Sequence, residues 1–209
     1  ADANYMKITM NSYITKAAAK FGCDKDTDKV TDPSFSEEQI DKESDDVDPT
    51  YKMREIVGAI GWIITVARPD CAVCYSVLAR YAGKPCTKYR IRCAKRLLKY
   101  LYNTREEGIE YSKEREKLYE DIYSQLLKDG LHNDGANIDW PRQKFPLFQM
   151  FSDASFASCF TTLKSVTGSV LYFKGTCILW RTNRQSVRSY STSESEYIAA
   201  SDSIILEQS

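Results

Sequence analysis

The apolar residues of this chain change their period partway along, and that change constrains the fold more than any other feature. Ile56, Ile60, Ile63 and Ile64 recur at helical spacing, and Cys71, Cys74, Leu78 and Tyr81 make a second such stripe. From Phe145 the pattern shortens to PLFQMFS, VTGSVLYF and TCILWR, with Gly168 and Gly175 near the joints. A last helix is expected from about Glu194 to the end of the sequence. Helices first and then a β-β-β-α unit make an α+β protein.

The stretches before and between these runs fill in the organisation. ITMNSYITKAAAKFG reads as a short helix closed by Gly22. CDKDTDKVTDPSFSEEQIDKESDDVDPT follows; it is acidic, turn-rich and poor in apolar residues, and reads as an extended linker. Pro69 ends the helix that starts near Tyr51, Gly58 and Gly61 let another element approach it, and Asp70 is placed to cap the next helix. Both thiols of Cys71-x-x-Cys74 lie on an apolar stripe with no second pair, which favours packing over metal or redox chemistry. SKEREKLYEDIYSQLLKDG is a charged helix with Leu118, Ile122 and Leu126 on one side, followed by a loop with His132, the one histidine. No Ser–His–Asp or Cys–His arrangement can be built around it.

The net charge of zero hides a division. Residues 1–50 carry 6 Lys/Arg against 12 Asp/Glu, whereas residues 51–100 carry 11 against 2. A block of net +9 inside a neutral chain marks a polyanion-facing surface. Its centre is TKYRIRCAKRLLKYLYN, where Lys88, Arg92, Lys95 and Lys99 follow one another at i, i+4, i+7 and i+11, with Arg96 beside them. Two readings stand: a solvated helix face, or a track for phosphates. No apolar run reaches the roughly 18–20 residues of a membrane helix. Seven Cys in no framework spacing point to a reducing compartment. The ADANYMK start lacks Met, as a processed chain or a fragment would. If it is a processing scar, an organelle becomes the expected location.

Two carboxylates carry the possible chemistry. Asp153 ends the first β run among small residues, and Glu196 falls in the first turn of the last helix. In a β-β-β-α sheet these points can converge, and paired carboxylates repel unless a cation such as Mg2+ or Mn2+ joins them. Each also has a structural explanation, an Asx-turn for Asp153 and a capping box, Ser193-x-x-Glu196, for the other.

YKMREIVGAIGWIITVARPDCAVCYSVLARY and AKRLLKYLYNTREEGIEY resemble the copia-type retrotransposon polymerase, with its Y-R-x-x-V-G, T-R-P-D-I and A-K-R-x-L-R-Y-L patterns. FSDASFAS, KSVTGSVLYFKGTCILWRTNRQ and STSESEYIAAS resemble the ribonuclease H of the same polyprotein, and MNSYITKAAAKFG resembles its QxxYIxxLLxxFG. The ordered set spans nearly the whole sequence. It implies a short helix and acidic linker (1–50), a helical thumb or connection region (51–111), a helical insert (112–145) and a partial ribonuclease H-like unit (146–209). Asp153 and Glu196 would be two of that family's metal ligands, and the cationic helix would follow an RNA·DNA hybrid or RNA.

The resemblance also carries departures. The polymerase palm would lie upstream, and the family's third and fourth acidic ligands lie beyond the last helix; Asp202, in the helix body, does not match the third. The expectation is therefore a fragment or co-opted subunit that does not cleave alone, in the cytoplasm or nucleus. The alternatives are hydrolysis of the RNA strand once the site is completed, and a scaffold role in a large assembly. The family's fourth strand lies beside strand one, so residues 147–152 should accept a strand from another polypeptide.

Overall fold

In the computed structural model of the chain, the residues described are 4–25, 29–42, 46–128, 147–159 and 162–207, with backbone alone at 126–128 and 206–207. Among them the protein is α+β, with seven α-helices and two small antiparallel sheets. His132, and Pro146 at the start of the predicted PLFQMFS run (146–152), fall outside the described residues.

A helical body forms around α3 (Met53–Ala67). Its Ile56, Ile60, Ile63 and Ile64 are buried against Ile14 and Ala18 of α1 (Asn11–Phe21), Leu78 of α4 (Ala72–Tyr81) and Leu97, Leu98 and Leu101 of α5 (Lys88–Asn103). Each fully buried side chain of this size contributes about 1.5–3 kcal/mol. Gly22 closes α1 in the left-handed conformation, as its position predicts. Of the two α3 glycines only Gly61 is approached closely, by the Tyr75 ring; Gly58 faces open space.

Asp70 does not cap α4. Residues Pro69–Cys71 form a 3-10 turn, and the Asp70 carboxylate turns back onto Arg68, with Nε–Oδ1 at 2.9 Å and Nη2–Oδ2 at 2.7 Å. Arg68 is 1% exposed, so its guanidinium needs a counter-charge more than α4 needs a cap. Cys71 is buried and Cys74 half-buried on the predicted stripe, and burial pushes the Cys74 thiol up to about 11.

The acidic segment is not an extended linker throughout. Ser36 caps a short helix, α2 (Glu37–Asp41), whose Ile40 is 1% exposed in the helical core. A two-stranded sheet that the sequence does not announce pairs β1 (Tyr5–Ile8) with β2 (Ile109–Ser112). Helix α6 (Lys113–Lys128) follows directly, and Leu118 and Ile122 of its predicted stripe are more than half exposed.

The second half is a meander: β3 (Phe148–Ser155), β4 (Val166–Phe173) and β5 (Thr176–Arg184), ordered β3-β4-β5, then α7 (Thr192–Glu207). Lys174 and Gly175 join β4 to β5, both at positive φ, as a two-residue hairpin turn of type I′ requires. Gly168 lies inside β4, opposite Asp153, and not at a joint. Helix α7 lies against β3 and β4, while β5 touches α4 and β2.

Candidate nucleic-acid interface and carboxylate pair

Helix α5 has one apolar and one cationic side, as its spacing predicts. Cys93, Leu97 and Leu101 are buried, and Lys88, Arg92, Lys95 and Arg96 are exposed, with Lys99 half-buried. Thr87 caps the helix, its hydroxyl accepting the Arg90 N–H at 3.2 Å. The remaining cation of the helix, Arg90, points inward. It is 4% exposed, donates to the Ile40 and Pro85 carbonyls, and stacks on Tyr81 at 4.7 Å. By partner the cations of the exposed side fall into two rows: Lys95 lies over the Tyr51 ring, while Lys88 meets Asp46, Arg96 lies near Asp32, and Arg92 lines a cleft with Arg96.

That second row is accompanied along its length by the acidic segment, running antiparallel to the helix. The Val30 carbonyl accepts from Asn103 at 3.5 Å, and Asp32 lies 3.9 Å from Arg96. Phe35 and Gln39 face Tyr89, Arg92 and Arg96 across an open cleft of about 520 Å³. At the N-terminal end, Asp46 pairs with Lys88 at 2.7 Å, and Val47 bridges to Thr87. The segment is anchored through its middle: Ile40 is in the core, Glu37 pairs with Arg80 at 3.3 Å, and Asp41 accepts from the Tyr81 hydroxyl at 2.8 Å. Bonds from the Ser34 hydroxyl and N–H hold the Asp32 carboxyl below its usual range. Sequence reading missed this strap. Ile40 and Phe35, the apolar residues inside an acidic run next to a basic block, were the available signal.

At the other site the structure brings Glu196 to the strand of Asp153. The Glu196 Oε2 accepts the Ala154 N–H at 3.1 Å. Neither structural explanation from the sequence holds. Asp153 stands inside β3 and not in a turn. The capping box is Ser191-x-x-Glu194, two residues earlier than expected: Glu194 N donates to Ser191 Oγ at 3.1 Å, and Tyr190 N donates to Glu194 Oε2 at 2.7 Å. STSESE contains the S-x-x-E pattern twice, and the upstream copy caps the helix, leaving Glu196 for the strand. Both carboxylates are exposed. Successive strand residues point to opposite faces, so Asp153 is on the face opposite Ala154, with Glu196 at the edge between them.

Polar contacts hold α7 to the sheet. Gln185, 1% exposed, donates to Thr167 Oγ1 at 3.1 Å and to the Ser195 carbonyl at 2.9 Å, one residue before Glu196. Its own carbonyl oxygen has no partner among the described residues. Ser169 and Ser203 share a hydrogen bond of 2.5 Å further along. Asp202, also in α7, is only partly exposed and does not join the pair in any ligand cluster.

A two-metal phosphoryl-transfer site needs about four oxygen donors around ions roughly 3.5–4 Å apart. Among the described residues no group of three or more His, Cys, Asp or Glu is placed to hold a metal ion. Two carboxylates, one already accepting a backbone N–H, do not fit such a centre by themselves.

Among the described residues, no helix is long and apolar enough to cross a membrane. No family model matches the chain, and no solved structure matches it. Among the curated proteins similar to it are two that are each 27% identical over 146 residues, or 70% of this chain. One is described as secreted RxLR effector protein 161 of Plasmopara viticola, of which the match covers 82%. The other is the retrovirus-related Pol polyprotein from transposon TNT 1-94 of Nicotiana tabacum, of which it covers 9%. The two descriptions differ in kind, and the second carries a retrotransposon likeness over most of this chain.

Proposed function

We propose that this chain is a connection and ribonuclease H-like unit of copia-type reverse-transcriptase descent. It binds the backbone of an RNA·DNA hybrid, or of RNA, along α5 and does not cleave it unaided. The observation that carries this reading is the α5 surface, where Lys88, Arg92, Lys95 and Arg96 are exposed on one well-packed helix. The Pol likeness supports the descent, and the β-β-β-α order with Glu196 reaching the strand of Asp153 supports the ribonuclease H-like part. The divisions at 1–50, 51–111, 112–145 and 146–209 belong to the same reading.

A second reading is favoured by the Glu196–Ala154 bond: with further acidic residues supplied from elsewhere, the pair would serve hydrolysis of the RNA strand with Mg2+ or Mn2+. A scaffold role is favoured by β3, an edge strand on which Phe148 and Phe151 are more than half exposed and to which another polypeptide could add a strand.

Binding of a labelled hybrid tests the leading reading. Replacing Lys88, Arg92, Lys95 and Lys99 with Ala should weaken binding and flatten its salt dependence, by up to about 0.9 log–log units per lost phosphate contact on duplex DNA. An unchanged slope would assign these cations to solvation or to a protein partner. Cleavage of the hybrid by the purified chain, abolished by Asp153→Asn, would replace the leading reading with the second.

A further inference from the structure

We propose that the acidic strap, residues 29–42 and 46–50, is a built-in competitor for the phosphates that α5 binds, with Asp32 and Asp46 as its exchangeable charges. The inference rests on the binding role proposed for α5.

The charge pattern supports it at three levels. A segment with net negative charge lies along the most basic helix of the chain, in register from Asn103 to Thr87. Its pairs with the cation row, Asp46–Lys88 at 2.7 Å and Asp32–Arg96 at 3.9 Å, have both partners well exposed. Exposed pairs of this kind are weak, because water screens both charges and two long side chains must be held in one geometry, so a phosphate of the incoming backbone can take the carboxylate's place.

The strap does not have to leave. Ile40 stays in the core, Glu37 and Asp41 stay on Arg80 and Tyr81, and the backbone bridge of Val47 to Thr87 keeps Asp46 beside the helix. Only the two carboxylates need to swing outward. Anchoring then keeps them at high local concentration, and they return as soon as the polyanion dissociates. Arg92, in the cleft between them, has no acidic partner among the described residues and offers a first contact. The strap would thereby favour a polyanion that engages several cations together over isolated anions.

The test is fluorescence anisotropy of a labelled RNA·DNA hybrid with the full chain, the double variant Asp32→Asn/Asp46→Asn, and a control, Glu110→Gln/Glu116→Gln. The control removes the same charge from acids paired with Arg115 and Lys174, away from α5. Asn at position 32 retains an oxygen for the Ser34 N–H. Releasing two exposed pairs should tighten binding about 2- to 30-fold at low salt. The salt slope should steepen, because the chain's own acids no longer compete at low ionic strength. A gain no larger than the control's, or none, overturns the proposal. Heparin, titrated in parallel, separates the two ideas. If the hybrid does not bind any variant but heparin ranks them as above, the strap holds and the nucleic-acid reading fails. If heparin does not separate them either, the strap proposal fails.

Discussion

The Glu196 carboxylate accepts the backbone N–H of Ala154 at 3.1 Å, and this bond fastens the start of α7 to the strand that carries Asp153. A charged acceptor on an edge-strand amide does two things. It gives a partner to an N–H that has none in the β3–β4 ladder, and it leaves the Glu196 side chain one defined position. Gln185 supports the same turn of helix from beneath through the Ser195 carbonyl.

Substitution at Glu196 should therefore show in stability before any question of activity arises. Glu196→Ala removes the acceptor and should cost about 1 kcal/mol, whereas Glu196→Gln keeps an oxygen in place and should cost less. Urea denaturation followed by tryptophan fluorescence reads the difference, since Trp180 lies in β5 of the same sheet. Identical midpoints for both variants and the parent would mean that the bond carries no weight in solution.

The buried Arg68 sets a pH dependence. Burial pushes the Asp70 carboxyl up, but the guanidinium beside it outweighs burial and holds it below its ordinary value. A carboxylate with a depressed folded-state value contributes stability that is fully present above the unfolded value near 3.8 and is lost as pH falls through the lower, folded one. Arg68→Met should cost about 3 kcal/mol at neutral pH, because it also strands the Thr104 carbonyl that Nη1 now reaches at 3.0 Å. The penalty should shrink in acid. Midpoints measured at neutral pH and near pH 3 decide, and a penalty that does not change with pH would remove Asp70 from the account.

How much of this was legible beforehand depended on whether a residue's role was local. The α3 and α5 stripes, the three strands and the Gly22 stop are set by neighbours in sequence, and periodicity finds them. The strap is not local: Asp32 meets Arg96 and Asp46 meets Lys88 only because Ile40 is pulled into a core built by later helices. Asp70 shows the same limit in reverse. As a cap it satisfies every local rule, yet a buried guanidinium two residues away outweighs the cap. Glu196 sat between two equally good patterns, and only the start of α7 at Thr192 separates them. The β1–β2 pair was out of reach, since four residues per strand leave too short an alternation to detect.

The edge of β3 gives the last prediction. In an antiparallel ladder both backbone groups of a residue point to the same side. Ala154 gives its N–H to Glu196 and not to β4, so Phe148, Met150 and Ser152, which share its parity, also point outward. Among the described residues nothing pairs with those three N–H groups. Gln149, Phe151 and Asp153 face β4 and are bonded. Hydrogen exchange on the isolated chain should therefore alternate along the strand, fast at Phe148, Met150 and Ser152 and slow at their neighbours, with Ala154 slowed by its carboxylate partner. Glu196→Ala should make Ala154 exchange like the other three. An edge this apolar, with Phe148 and Phe151 more than half exposed, is unblunted and tends to recruit another strand. If a second polypeptide completes the sheet in the native assembly, the alternation disappears there and all of these amides become slow. Phe151→Lys, which places a charge on the edge, should then reduce that association without changing the pattern in the isolated chain. Equal exchange of the three outward amides in the isolated chain and in the assembly would show that no strand is added at this edge.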